Sequence, residues 1–261
     1  MQKSKLLVAV LGTLIAAPAL ADSPFSANVS LTTDYLFRGM SQTGGKPALQ
    51  GGFDYANPNG LYAGVWASSI SWIGDGGLAT NAGTEIDTYF GFSNSFATDF
   101  TYDVGFLRYN YPGSYTAAAT FPYAKADTNE IYGSIGYKWV TVKYSRSLGD
   151  TFAIASASGS DYIQVDASYP IESAGITLGA HYGKQKFKGA GYTNIITTGG
   201  IVADPSYSDY NVSVSKDLGS GYSASLMYSK TNATTSPGAF WTVGGKNLGK
   251  GTAVLTISKS M

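Results

Sequence analysis

Carboxylates, a few bases and the single histidine recur on the polar parity of segments whose other parity is largely apolar. The acids are Asp34, Asp54, Glu85, Asp87, Asp103, Glu130, Asp166 and Asp209, with Asp99 at a segment start. The bases are Arg38, Lys46, Lys143 and, at a segment end, Lys138. His181 shares their parity, between Thr177 and Gln185. Side chains gathered on one face in this way line a common interior. An excess of acids there makes a water-filled lumen that favours cations over anions. Alternatively, acids and bases pair across a narrow interior and block it. About twelve strands lie between the side-chain-filled eight and the wide sixteen, so both readings stand.

Covalent chemistry has little to work with. A barrel hydrolase needs a nucleophilic serine beside a histidine and an orienting acid or amide, reachable from lipid. No such motif surrounds His181, whose parity points inward; a hydrogen-bonded interior histidine is the plainer reading. The absence of cysteine removes thiolate chemistry and disulfides, and no clustered metal-ligand spacing or nucleotide loop occurs. No catalytic residue, metal or cofactor is therefore assigned. Without the two N-terminal lysines the chain has 15 bases against 17 acids, a net charge of −2 that gives no hint of nucleic-acid binding.

A second group of bases, Arg108, Arg146, Lys184 and Lys230, falls on the apolar parity at the far ends of successive segments. Cations there would meet the phosphates of lipopolysaccharide at headgroup level, where charge is tolerated far better than at mid-bilayer. The bland alternative is solvated rim charge.

The elements that must position these residues are strands. Ile131, Gly133, Ile135 and Tyr137 alternate with Glu130, Tyr132, Ser134 and Gly136, and the same period recurs over 27–37, 47–56, 61–71, 84–93, 99–109, 129–138, 140–147, 161–170, 175–185, 208–216, 221–230 and 252–261. Connectors alternate strictly: long at 38–46, 72–83, 110–128, 148–160, 186–207 and 231–251, short between. This pattern predicts an all-β fold, a single antiparallel up-and-down transmembrane β-barrel of about 12 strands, ten and fourteen being the neighbouring counts, with both termini periplasmic. A β-sandwich or a soluble barrel is the alternative, but neither sorts its connectors by length in this way, and a soluble wall needs a polar exterior. A strand of about eleven residues tilted near 40° rises roughly 28 Å, close to the apolar band of such barrels. A mean hydropathy of −0.03 agrees, because only alternate residues meet lipid. The 33 glycines and 20 tyrosines suit closely packed walls and interfacial girdles. Segment 61–72 carries apolar residues on both faces and yields no lumen assignment. Trp139 suits an interfacial anchor. Loop 110–128, with Pro112, Pro122 and Ala117-Ala118-Ala119, is long enough to fold inward as a constriction, although a mobile external loop is the plainer expectation.

At the N-terminus, Lys3 and Lys5 precede an apolar stretch from Leu6 to Ala16 and an Ala19-Leu20-Ala21 cleavage signature. Residues 1–21 read as a cleaved secretory signal and 22–261 as the barrel. No later stretch offers about 18 unbroken apolar residues for a spanning helix. The last strand would present the protein to the outer-membrane assembly machinery, although it ends on Met261 rather than an aromatic.

The run Leu31-Thr32-Thr33-Asp34-Tyr35-Leu36-Phe37-Arg38-Gly39-Met40-Ser41-Gln42 resembles the TorF family of proteobacterial porin-like proteins. Lys46-Pro47-Ala48-Leu49-Gln50-Gly51-Gly52-Phe53-Asp54-Tyr55 and Gly60-Leu61-Tyr62-Ala63-Gly64-Val65-Trp66-Ala67-Ser68 continue the likeness. Weaker echoes are Glu85-Ile86-Asp87 before Tyr89, and Asn129-Glu130-Ile131-Tyr132; beyond about residue 148 the likeness is one of pattern. The resemblance implies a barrel of pore type and supplies no substrate or catalytic residue. The expected function is an outer-membrane channel, in a Gram-negative cell, for passive diffusion of small hydrophilic solutes or ions with a mild cation preference. The alternative is a closed structural or adhesive barrel whose extracellular loops bind a partner. Expected partners are outer-membrane lipid and lipopolysaccharide, the assembly machinery and small solutes.

Overall fold

The computed structural model describes residues 23–115, 122–197, 204–233 and 239–261. The expected signal segment and the Ala117-Ala118-Ala119 stretch lie outside the described residues. Twelve antiparallel strands close into one barrel: β1 (Phe25–Thr32), β2 (Ala48–Ala56), β3 (Leu61–Ser69), β4 (Thr84–Phe96), β5 (Phe100–Asn110), β6 (Thr128–Tyr137), β7 (Val140–Ser147), β8 (Asp161–Ile171), β9 (Ile176–Lys186), β10 (Tyr207–Gly219), β11 (Tyr222–Thr231) and β12 (Thr252–Ser260). Each strand pairs with its chain neighbours, and β1 pairs with β12 in the register Ser30 opposite Ser258. The strands thus fall where period two places them, with one notable difference: β1 stops at Thr32 instead of running to residue 37. There the chain turns inward, because Thr32 Oγ1 donates to Asp34 O and the Asp34 carboxylate captures Ser41 and Thr43.

The outer face is apolar. Leu31, Leu49, Phe53, Val65, Phe90, Val104, Ile131, Val142, Ile163, Leu178, Val212, Leu226 and Leu255 all stand exposed on it. A soluble barrel cannot leave such a band to water; hydrocarbon is the solvent that suits it, and closure leaves no sheet edge unpaired within the lipid. Aromatics gather toward the short-turn end, as in the Phe96–Phe100 and Phe100–Tyr137 contacts at 5.2 and 4.7 Å, and Trp139 packs edge-on to Tyr169 at 5.0 Å.

Inside, register resolves the face of β3 that alternation left open: Tyr62, Gly64, Trp66 and Ser68 lie opposite inward residues of β4 and point to the lumen. The glycines of the inner face make room for tyrosines. A Cβ at Gly105 would collide with Tyr132, one at Gly64 with Tyr89, one at Gly91 with Tyr62 and one at Gly183 with Tyr162. Several tyrosines therefore serve the interior rather than the girdles, each with its phenolic end against a glycine of the neighbouring strand. Gly133, on the outer face, has only ordinary contacts. Replacing Gly105 with alanine is expected to cost about 1–3 kcal/mol, the usual scale for overpacking, whereas Gly133→Ala stays within about 0.5 kcal/mol. Urea midpoints of the refolded barrel measure both.

The long connectors do not stand out as polar arms. They fold over the mouth and pack a core of their own: Ile70, Ile73, Ala79, Tyr111, Phe152, Ile154, Phe187 and Ile195 are all buried. Short pieces build this lid, among them α1 (Trp72–Asp75), α2 (Gly189–Thr197) and two-residue strand pairs such as Ala79–Thr80 with Ser114–Tyr115.

Candidate functional site

The connector after β1 forms the centre of the site. Leu36–Phe37 pair with Met40–Ser41 around a two-residue turn. Arg38 and Gly39 both have positive φ, 48° and 77°, as a tight hairpin of this twist demands. At Gly39 a Cβ would sit 2.7 Å from the side chains of Asp209 and Thr231, so only glycine fits the tip against the far wall. Behind the turn, Asp34 Oδ1 accepts from Ser41 Oγ at 2.6 Å and Thr43 Oγ1 at 2.9 Å. Burial holds the Asp34 carboxyl above its ordinary pKa, against the pull of those two hydroxyls.

From this turn Arg38 crosses the bore. Its guanidinium meets Glu130 of β6 at 2.7 and 3.1 Å in a two-pronged pair and donates to Gln185 Oε1 of β9 at 2.7 Å. It lies 4.3 Å from the Tyr162 ring centre on β8 and 4.8 Å from that of Phe37. In the cyclic order of strands, β6 to β9 stand opposite the β1–β2 corner from which the loop departs. The side chains of Arg38 and Glu130 retain only 7% and 2% of their exposure. Burial works against the guanidinium charge and the adjacent Glu130 carboxylate more than reverses it, so Arg38 is held above its ordinary pKa. Ser147 Oγ adds a hydrogen bond to Glu130 at 3.3 Å.

Beneath the turn lies a second cluster. His181 Nδ1 is 2.6 Å from Asp166 Oδ1, and Nε2 is 2.9 Å from Asp209 Oδ2. Carboxylates on both sides ask both ring nitrogens to donate. Tyr162 O–H donates to Asp209 Oδ1 at 2.8 Å, and Gln164 Nε2 donates to Asp166 at 2.6 Å. A small cavity of about 30 Å³ separates this cluster from the loop, bordered by Leu36, Arg38, Asp209, Asn211 and Ser229. His181 is thus fully engaged by acids, with no hydroxyl nucleophile among its hydrogen-bond partners except the Tyr162 phenol. On the wall of β2 to β7 the tyrosines and acids interlock: Tyr62 donates to Asp103 Oδ1 at 2.6 Å and touches the Tyr132 hydroxyl, Tyr89 donates to Asp54, and Lys143 Nζ stands 3.9 Å over the Tyr132 ring. Glu85 and Asp87 lie buried under the lid; Tyr35 donates to Glu85 at 3.3 Å, and among the described residues Asp87 Oδ1 has no hydrogen-bond partner.

Water access divides the lumen. On β12, Val254 and Thr256 are buried while Ser258 and Ser260 are not; on β4, Glu85 and Asp87 are buried while Ser93 is exposed. The bore is therefore wet toward the short turns and dry under the lid. Its closing wall is uncharged, with Ser225 opposite Thr256 and Ser223 opposite Ser258.

The structure brings Asp54, Glu85, Asp87, Asp103, Glu130, Lys143, Asp166, His181 and Asp209 to the inner face of barrel strands. Asp34 and Arg38 reach the interior from a loop, not from a strand. Lys46 is corrected outright: it is exposed on the outbound limb of that loop, where its backbone bonds Thr43 while its side chain faces solvent, so it does not line the lumen. Asp99 and Lys138 sit at a turn, 3.8 Å apart and half-exposed. The segment that enters the bore is 33–47; loop 110–128, for which a mobile external loop is the plainer expectation, contributes Tyr111 and Ala126 to the buried core under the lid. What alternation missed is the inward tyrosine set; pairing each inner tyrosine with a glycine on the adjacent strand is the sequence signal that finds it. At the rim, Arg108 is taken by Asp127 at 3.1 Å and by Asn110 and Asn129. Arg146, Lys184 and Lys230 are exposed.

A closed twelve-stranded barrel, apolar outside and polar within, with loops folded into one mouth, is a transmembrane β-barrel. The chain belongs to the Gcw_chp family, bacterial proteins of unknown function, whose profile matches residues 16–261. The match carries that designation and not the TorF name. No curated protein matches the sequence. Among solved structures, the KdgM porin is similar, with a TM-score of 0.51 at 8% identity over 90% of this chain and 97% of that one. A KdgM porin in complex with disordered oligogalacturonate gives 0.50 at 7% identity over the same shares. OprD of Pseudomonas aeruginosa gives 0.40 at 13% identity, over 91% of this chain and 66% of that one. At these identities the likeness is one of fold.

Because Glu130 is buried, removing its partner strands a charge. Arg38→Met is expected to destabilise the barrel by about 3–5 kcal/mol, and Arg38→Met with Glu130→Met to recover most of the loss. Amide exchange across 33–47 should rise in the single variant; an unchanged rate with unchanged stability would remove Arg38 as the anchor.

Proposed function

We propose that this chain is an outer-membrane channel for passive diffusion of small hydrophilic solutes or ions. Its long loops face outside, its termini face the periplasm, and residues 1–21 serve as the export signal. The observation that carries this reading is a polar bore, wet from one end and closed at the other by a loop whose tip is held in the bore by the side-chain contacts of Arg38, while its backbone bonds go to other connectors at Leu248, Ser71 and Trp72. Such a plug is displaceable. Conduction in this reading requires segment 33–47 to leave its Arg38–Glu130 anchor, with the remaining lumen conducting no chemistry on the solute. The resemblance of 31–68 to TorF porins supports the same class, and the last strand would be the segment read by the assembly machinery.

The interior favours cations. Asp54, Asp103 and Asp166 outnumber Lys143 and His181 along the open part, with Asp209 buried behind them at the loop tip, and the facing wall of serines and threonines adds no counter-charge. That balance disfavours a polyanion such as the oligogalacturonate present with one similar porin. A second reading, a closed structural or adhesive barrel, draws on the packed core of the lid.

Planar-bilayer recording of the refolded protein separates the two. The channel reading expects rare or small openings in the wild type, with larger and more frequent ones after Arg38→Ala or deletion of 35–44. Potassium should permeate better than chloride, and Asp54→Asn with Asp103→Asn should reduce that preference. Silence from the folded deletion variant at all voltages would leave the closed barrel.

A further inference from the structure

Four successive strands that run toward the lid end on the same outward pair, an aromatic and then a base two residues on. The pairs are Phe106 and Arg108 on β5, Tyr144 and Arg146 on β7, Tyr182 and Lys184 on β9, and Tyr228 and Lys230 on β11. Alternate residues of a strand share a face, so each base stands about 7 Å beyond its aromatic along the wall. The three tyrosines are exposed, at 41%, 53% and 48%. Adjacent members of the set are two strands apart, about 10 Å across the sheet. The other strands running toward the lid, β1 and β3, end with Leu31 and Thr33, or Ala67 and Ser69, at the matching positions. The stripe therefore covers one side of the barrel only.

An aromatic followed by a cation is what the edge of a bilayer selects: a ring at the boundary of the hydrocarbon, then a positive charge among the headgroups. A solvated rim charge needs neither the aromatic beneath it nor the one-sided placement. Local acids do not neutralise the stripe. Asp127 is occupied by Arg108 and Lys125, and Asp161 by Lys188. Among the described residues Arg146, Lys184 and Lys230 form no ion pair; Asp161 stands opposite Arg146 and Lys186 in the sheet, but its carboxylate is held by Lys188.

We propose that this face, centred on β7 to β11, binds the phosphate groups of lipopolysaccharide in the outer leaflet through Arg146, Lys184 and Lys230, with Tyr144, Tyr182 and Tyr228 seating its acyl–sugar boundary. Arg108 contributes shape rather than free charge, since Asp127 holds it. The occupant is a phosphorylated lipid and not free phosphate, because the cations are spread over the wall instead of converging on one point. The proposal rests on the long loops facing outside. Surface labelling of a cysteine introduced near Lys125 in intact cells reports that orientation separately from binding.

The test uses the refolded full barrel in detergent, where binding does not depend on orientation. The probes are lipopolysaccharide with its lipid A phosphates intact, the same lipid after enzymatic dephosphorylation, and inorganic phosphate, with bound lipid counted by native mass spectrometry. Intact lipopolysaccharide is expected to be retained, and R146Q/K184Q/K230Q to weaken retention by about tenfold or more, as loss of three headgroup-level charges requires. All three sites are exposed, and heat-modifiable migration on gels verifies that the variant is folded. A control with K138Q/K216Q/K259Q, bases of the opposite end, should bind as the wild type does. Equal retention by the triple variant, or equal binding of the dephosphorylated lipid, would overturn the proposal. Displacement by millimolar phosphate would also overturn it, replacing a lipid surface with an ion site.

Discussion

Every structural feature of this protein descends from one requirement: in hydrocarbon, each backbone N–H and C=O must find a partner within the protein. A sheet meets that requirement only by closing on itself, and the pairing of β1 with β12 removes the last free edge. Closure then divides the residues of every strand into two populations with different solvents. Odd and even positions cannot exchange roles without moving a whole strand by one residue, which would turn aspartates into lipid and leucines into the lumen.

The interior that closure creates is too wide to fill with strand side chains alone and too narrow to leave its charges independent. Two devices occupy it. Tyrosines reach over glycines of neighbouring strands, which thickens the β2–β7 wall and orients the acids Asp54 and Asp103 by phenolic hydrogen bonds. Then a loop crosses the bore and places Arg38 among Glu130, Gln185 and Tyr162. Buried ion pairs add little net stability, because desolvation consumes most of the attraction. Their strength is positional: an arginine with two fixed oxygen partners has one place to be. The Arg38 pair thus specifies where the loop sits more than how tightly the barrel folds, which suits an element that must leave for solute to pass.

How far the site could be read in advance depended on the range of the interactions concerned. Asp54, Glu85, Asp103 and Glu130 sit on strands whose period is visible in a ten-residue window, so their side of the wall was legible. The parity of 27–37, carried one residue on, also points Arg38 inward, but the route differs: the capture of Ser41 and Thr43 by Asp34 turns the chain after Thr32, and Arg38 reaches the interior from a loop. Lys46 fails for a similar reason: it continues the inward parity of 48, 50, 52 and 54 one pleat back, into a connector that no longer follows the wall. The face of β3 was illegible because Ala63, Gly64, Ala67 and Ser68 differ little in polarity, and only their register against Tyr89 and Asp87 settles it. The lid was missed because Ile73, Tyr111, Ile154 and Ile195 come from separate connectors, each too poor in apolar residues to look like a core by itself.

Sequence alone determined a barrel of about twelve strands, the connector rhythm, the lipid-facing parity and the outward bases at the rim, because lipid and water act on each side chain locally and with period two. Tertiary structure decided which tyrosines turn inward, which loop enters the bore, which acid its arginine pairs with and where the water stops. Those outcomes depend on residues 41 to 147 positions apart meeting across a closed wall, and no local window contains both partners.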